Sequence, residues 1–360
     1  MKSPANTPST VFPQAQHFVS KFHNTHNYFD GSLPPVLSVQ PGELIHVETY
    51  DCFHGAVQSS HADPNQVLAA IPREQLNPVT GPIFVHGAEP GDWLAVQLLD
   101  IRPEGEGVAC CSTHSGQLCH WMTEEITTKF FQVKGDTVIM KEDTAASRRI
   151  APIGFPKRPM LGVIGVAPKG DPILTMPAGK HGGNMDNNCH GIGATIYIPV
   201  QHPGALLSVG DMHASQGDGE ISGTGVEIGG HVLLKCGILK KESLLPLSSS
   251  NNNDIPQSLP EFPVTETATH WITHGVLEEN IPQTTNIACQ EAACLLVRQW
   301  GFTKEEAFVF LSTAANLGLC QSCHPDQGTQ IAKMVVPKID ACPRPFRVLW
   351  EQEQEEKQQQ

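Results

Sequence analysis

Read for hydrophobic periodicity, the chain from about residue 36 to 240 alternates strand and turn. In LSVQPGELIHVETYD, a turn at Pro41–Gly42 precedes a strand on which Ile45, Val47 and Thr49 face one way. Leu44, His46 and Glu48 then face the other, the period of two expected of extended chain. GPIFVHGAEPGDWLAVQLLDIRP repeats the scheme, with a turn at Pro90–Gly91–Asp92 before a strand over Trp93–Ile101. Further strands are predicted over Leu161–Ala167, Ala194–Val200 and Val226–Cys236. No helix-length periodicity stands out in this region. The expectation is a mainly β fold with a sandwich or barrel-like core.

The C-terminal part reads differently. Residues 243–263 are rich in Ser, Asn and Pro, the composition of a linker. A helix is predicted over Ile287–Trp300, with Asn286 as N-cap and Gly301 as its stop. A second begins at Thr303, where Thr303 and Glu306 fit a capping box. It would bury Ala307, Phe308, Leu311, Ala314 and Ala315 and end at Gly318. Val335–Val336–Pro337 closes a short strand. The predicted layout is a flexible arm (1–16), a β-rich core (17–240), a linker (241–264), a smaller C-terminal α+β segment packed on the core (265–347) and a disordered tail (348–360).

Composition narrows the partners. The 360 residues carry 23 Lys plus Arg against 37 Asp plus Glu, a formal charge of −14. No basic run offers a nucleic-acid footprint, and an anionic membrane surface would repel the chain. A small uncharged or cationic molecule is the expected ligand. The start MKSPANTPST lacks a basic segment followed by an apolar one, and no stretch is apolar enough to span a membrane. The eleven cysteines are therefore expected to be reduced, in a cytoplasmic protein.

Candidate chemistry concentrates between Gly179 and Gly230, a Gly-rich stretch holding His181, Asn184, Asp186, His190, His202, Asp211, His213, Asp218, Glu220 and Glu227. Such residues suit a divalent ion with three protein ligands and an open position. Asp186 and His213, with a more distant group such as Asp51 or Glu227, could supply them. Glu220 is the candidate general base, which would take the proton of water acidified by the ion and hand it to a leaving nitrogen. Asn184 could donate to a developing oxyanion, and His181 could be a ligand or orient one. In extended chain Asp211 and His213 would share one side, as would Asp218 and Glu220. Singly, each residue is more simply read as a turn or structural residue; together they make a polar site.

GPIFVHGAEPGDWLAVQLLDI, GVIGVAP, HGGNMD, YIPVQHPGALLSVGDMHASQGDGE and TGVEIGG occur in this order, followed by AANLGLCQSCHPDQGTQIAKMVVPK. They resemble the acetamidase/formamidase family over about residues 36–340. The resemblance implies hydrolysis of a small linear amide to carboxylate and ammonia, use of a divalent metal, zinc first, and assembly as a homodimer or trimer. It carries site roles onto Asp186 of GNMD and His213 and Glu220 of GDMHASQGDGE. Asp51, and less directly His54, lie in ETYDCFHG, similar to the family's early acidic strand end. Cys189–His190 and STHSG at Ser112–Gly116 depart from the family pattern and could reshape the pocket.

Other readings compete. CQSCH (Cys320–His324) matches a haem-attachment pattern and contains a CxxC. Cys189 beside His190 could be a thiol nucleophile. A β-domain that binds a small molecule without turnover is the non-enzyme alternative. GIGA (Gly191–Ala194) lacks the following helix a phosphate loop needs.

Overall fold

A computed structural model describes residues 11–141, 152–241, 260–278, 280–323 and 328–344, with 348 and 350. The predicted linker, the first part of the arm, the end of the tail and His324 lie largely or wholly outside these residues.

Two large sheets dominate. The nine-stranded sheet runs, edge to edge, through His17–Val19, Leu44–Thr49, Gly230–Leu239, Trp93–Pro103, Thr195–Pro199, Val264–Glu266, His270–Glu278, Thr329–Pro337 and Asn316–Gln321. The seven-stranded sheet orders Ala178–Gly179, Gly182–Asn184, Met160–Gly165, Leu207–His213, Val79–Val85 and Thr25–His26, with Leu37–Val39 also pairing Val79–Val85. A four-stranded sheet, Gly154–Pro156 to Glu106–Ser112, flanks them.

Strand alternation explains the layering. Leu94, Val96 and Leu98 point into the main core, where Ile45, Val47, Val232 and Leu234 meet Ile83, Leu161, Ile164, Leu207 and Val209 of the facing sheet. Trp93, Ala95 and Tyr197 point to the opposite face, against Ala288, Ala292, Leu295 and Leu296 of one helix and Ala307 and Leu311 of the next. The nine-stranded sheet is thus covered on both sides, which is why WLAVQLL is apolar at nearly every position. At about 25 cal/mol per Å² of apolar surface, such two-sided burial is the main source of the fold's stability.

The predicted β-sandwich with helices near the C-terminus is what forms. The C-terminal segment does more than pack on the core, however: Thr195–Pro199 pairs with Val264–Glu266, so its strands extend the same sheet. The first long helix, Ile281–Trp300, starts six residues earlier than predicted. Asn280, not Asn286, caps it, accepting from the Gln283 amide at 2.9 Å, and Pro282 suits the first turn. Gly301 ends it in the left-handed conformation at φ 72°, as predicted. The Thr303/Glu306 capping box forms on the helix Lys304–Ala314. Gly318 does not stop that helix: Ala315 is already extended, and Gly318 lies in the edge strand Asn316–Gln321. Phe308 is 77% exposed rather than buried. The strand at Val335–Pro337 begins at Thr329. A six-residue helix, Pro64–Ala69, capped by Asp63, also forms; it is too short to show a periodic stripe. Among the described residues no helix is long and apolar enough to cross a membrane.

Candidate active site

The site forms where chain leaves the seven-stranded sheet. Asp211 and His213 end the strand Leu207–His213, Asp186 follows Gly182–Asn184, and Glu220 sits in the turn after Gly217–Asp218. Glu227 bridges both Val108 and His213. Asp186, Asp211 and Glu220 hold φ of 42°, 54° and 44°. Side chains other than glycine pay for that conformation, and such strain gathers at functional sites.

The strain brings donors together. One ligand atom each of Asp186, His213 and Glu220 lies within 4.8 Å of the others, and all three residues are buried. A second set, Cys52, Asp211 and Glu227, meets the same limit. The sets adjoin at His213, whose Nε2 is 3.0 Å from Glu227 Oε2 and 3.4 Å from Asp211 Oδ1. His213 Nδ1 donates to Gln216 Oε1 at 2.8 Å, which turns Nε2 toward the carboxylates. Gln216 Nε2 donates in turn to the Asp186 carbonyl at 2.7 Å, and Gln321 Nε2 to Asp186 Oδ2 at 2.7 Å. Glu227 Oε1 accepts from the Gly225 amide at 2.8 Å.

Close packing requires glycine beside this cluster. A Cβ on Gly162 would stand 2.3 Å from Asp211 Oδ2 and 2.6 Å from Asp186 Oδ1; one on Gly225 would meet His213 Nδ1 at 2.5 Å.

So many buried acids perturb one another. Burial first, then the Asp211 charge, raises Asp186 to about 7. Burial likewise raises Glu227 to about 8, although His213 pulls it back. Glu220 stands well above its ordinary value through burial and the Asp186 charge. Burial opposes charge on His213, but Glu227 and Asp211 outweigh it and hold its pKa well above the usual value. Asp186 Oδ1, Asp211 Oδ1, His213 Nε2 and Glu227 Oε2 are buried without a hydrogen-bond partner. Buried polar atoms are rarely left so. A divalent cation fits them: it would satisfy these atoms and compensate the excess negative charge.

The sequence-derived candidates divide accordingly. Asp186, His213 and Glu220 come together, and Glu227 joins the neighbouring set. Asp51 stands beside the cluster: its Oδ1 accepts from the amides of Phe53 (2.9 Å) and Gly55 (2.7 Å), closing its own loop. It is Cys52 that faces Asp211 and Glu227. His181 is in neither set; it is buried against Phe29 at 5.2 Å, and burial lowers its pKa to about 4. Asn184 lies closer, lining a cleft of about 330 Å³ with Gln321, Met176 and Pro177. His54 is half-buried against Tyr50.

Asp218 and Glu220 do not share a side, because Gly219 (φ 85°) and Glu220 reverse the chain. Asp218 turns outward to Lys333 and Asn188, while Glu220 turns in. From sequence, Asp211 is named in the cluster, on the same side as His213, but is given no role, and Cys52, Gln216 and Gln321 are passed over. Cys189 bonds its neighbour Asn188, and the His190 ring faces Thr265 at 2.9 Å, so the pair does not form a thiol–imidazole couple. Cys320 and Cys323 are buried free thiols.

Fold and site define a β-sandwich protein with a buried acid and histidine centre suited to a cation. Residues 13–174 and 171–321 match the profile of the Acetamidase/Formamidase family. The chain belongs to the acetamidase/formamidase family. It is 27% identical over 267 residues to a formamidase of Methylophilus methylotrophus, and 26% over 270 residues to a putative formamidase of Schizosaccharomyces pombe. Each of these alignments covers 60% of this chain and 64% of the relative's length. The crystal structure of an acetamidase from Bacillus halodurans superposes with a TM-score of 0.75 at 33% identity, covering 89% of this chain and 97% of that one.

Proposed function

We propose that the chain hydrolyses the C–N bond of a small linear amide, of the formamide or acetamide kind, to a carboxylate and ammonia. The observation that carries this reading is the convergence of Asp186, His213 and Glu220 within 4.8 Å, with unpartnered atoms turned into the cluster, in a member of this family. Asp186 and His213 would hold a divalent ion, zinc the first choice, with Glu227 alongside. Such an ion supplies Lewis acidity and eases deprotonation of water near neutral pH.

The chain's own residues do the rest. Gln216 fixes the His213 ring, and Gln321 fixes the Asp186 carboxylate. Glu220 moves the proton: its carboxylate accepts one from the attacking water and delivers it to the amide nitrogen as the C–N bond breaks. Burial and the Asp186 charge raise its pKa, which favours its holding the proton between the two transfers. In this reading Asn184, which lines the cleft, donates its amide N–H to the carbonyl oxygen as negative charge gathers there. Water excluded from a buried site strengthens each of these interactions.

The same reading takes the protein as cytoplasmic and homo-oligomeric, a dimer or trimer. Ammonia release from formamide, acetamide and a panel of longer amides, with metal content measured on the same sample, tests it. Binding without ammonia release from metal-replete protein would make it a non-catalytic relative. Turnover abolished by Cys189→Ser and kept by Glu220→Gln would instead install the thiol as nucleophile.

A further inference from the structure

Cys52 has no part in the reaction just proposed, and a buried cysteine is by default a small apolar filler. Its neighbours on one side, Phe53, Val57 and Val108, fit that role. The other side does not. There the thiol meets Asp211 and Glu227, and its Sγ and one oxygen of each carboxylate lie within 4.8 Å of one another. Asp211 and Glu227 are each only 2% exposed. Glu227 has its Oε1 taken by the Gly225 amide, so Oε2 is the oxygen left over, and both it and Asp211 Oδ1 lack a hydrogen-bond partner. Beyond the ion-pair contact with His213 Nε2, at 3.0 Å from Glu227 Oε2 and 3.4 Å from Asp211 Oδ1, the two carboxylates face the sulfur, and an apolar filler adds nothing to their solvation.

The backbone is arranged to keep the thiol there. Asp51 Oδ1 closes the loop by accepting from Phe53 and Gly55, and His54 takes a left-handed φ of 59°. The Asn77 amide donates to the Cys52 carbonyl at 2.9 Å. On the other wall, Asp211 is held at its own left-handed φ of 54°. The chain thus bends on both sides of the gap.

We propose that Cys52, Asp211 and Glu227 form a second divalent-cation position, adjoining the Asp186–His213–Glu220 set across His213, and that the Cys52 thiolate makes it selective for a thiophilic ion such as zinc, cobalt or cadmium over magnesium or calcium. The ion displaces the thiol proton, which leaves to solvent as the metal–sulfur bond forms. One sulfur with two carboxylates is a donor set that hard, oxygen-seeking cations do not favour. The proposal rests on the amidase reading only in sharing a wall with its metal position, and it can fail alone.

The test uses metal-free full-length protein titrated with cobalt(II). We expect two equivalents to bind, with a thiolate-to-cobalt charge-transfer band in the near ultraviolet. Cys52→Ser should lose the band and one equivalent and bind cadmium at least about tenfold more weakly, with magnesium binding unchanged. Asp186→Asn, which disables the neighbouring set, should keep the band. Cys110→Ser is the control, because Cys110 also lies near Glu227. A band that persists in Cys52→Ser, or vanishes in Cys110→Ser instead, overturns the assignment. So does a single equivalent without a band. Should Cys52→Ser fail to fold, X-ray absorption of the zinc-loaded wild type decides: a sulfur neighbour at about 2.3 Å supports the site and its absence removes it. Ammonia release lost with the band intact would sink the amidase reading and leave this one standing.

Discussion

Two polar clusters flank the same turn of chain and are finished differently. On the outer side of Gly219, Asp218 accepts from Lys333 Nζ at 2.6 Å and from Asn188 Nδ2 at 2.8 Å, and Lys333 also reaches Asn188 Oδ1 at 2.8 Å. Every charge there has a partner. On the inner side, His213 Nε2 is the shared ion-pair partner of Glu227 and Asp211, and Asp186, Asp211, His213 and Glu227 each keep a buried atom that makes no well-aligned hydrogen bond. The closed network is scaffolding that ties the strand Thr329–Pro337 to the turn carrying Glu220. The open network is the one whose donor atoms meet, in two sets, within 4.8 Å of one another. Satisfaction of buried polar groups, rather than their number, separates structure from function here.

Mutation can break or sharpen that contrast. The largest effect is expected from Glu220→Gln, which should lower kcat by about 10²–10⁴-fold, the usual worth of a positioned acid–base group. Metal analysis of the same sample should show the ion retained; near-normal ammonia release would remove Glu220 from the mechanism. Next comes Gly162→Ala, whose Cβ would press on Asp211 Oδ2 and Asp186 Oδ1. Metal affinity, measured by competition with a chelator dye, should fall about 10–100-fold, as when groups orienting a ligand are disturbed. An unchanged affinity would mean that these carboxylates do not bind metal.

A third buried cluster gives a pH signature. His274 Nδ1 donates to the Pro263 carbonyl at 2.6 Å and its Nε2 accepts from Asn187 at 2.8 Å, which uses the neutral ring fully. Burial holds His274 at about 4 and His190 well below its ordinary value. A histidine depressed in the folded state contributes stability that is complete above its unfolded pKa of about 6.5. That stability is lost as pH falls from there toward 4, at about 1.4 kcal/mol per pH unit for each ring. Urea titrations between pH 7 and 4.5 should show the fall, and His274→Gln should flatten it; an equal slope in both proteins would contradict the assignment.

The smallest effect concerns the closed network. Asp218→Ala leaves the Lys333 ammonium buried without its carboxylate and should cost about 1–3 kcal/mol, toward the lower end because the Asp218 side chain is 57% exposed. Lys333→Met should cost less, since Asp218 can be hydrated. Thermal unfolding of both variants checks the order, and the reverse order would mean that the lysine stem, not its charge, matters.

Much of this was legible along the chain. Alternation at Ile45, Val47 and Thr49 marked a strand, and Thr303 with Glu306 marked a helix start, because both signals are local. The motifs pointed to Asp186, His213 and Glu220, which the structure brings within 4.8 Å of one another. That Cys52, the neighbour of Asp51, meets Asp211 and Glu227 was not legible, because it depends on segments far apart in the chain. Nor was the separation of Asp218 from Glu220, since strand alternation fails where φ turns positive.

By itself, then, the sequence determined the strand periods, the caps and the residue types gathered between Gly179 and Gly230, all set by interactions within a few residues. Tertiary structure alone decided that the C-terminal strands continue the main sheet, that Cys52 and Glu227 close on Asp211, and which polar atoms stay unpartnered. Those outcomes depend on segments far apart in the chain meeting in a space that excludes water, where the cost of an incompletely satisfied carboxylate is largest.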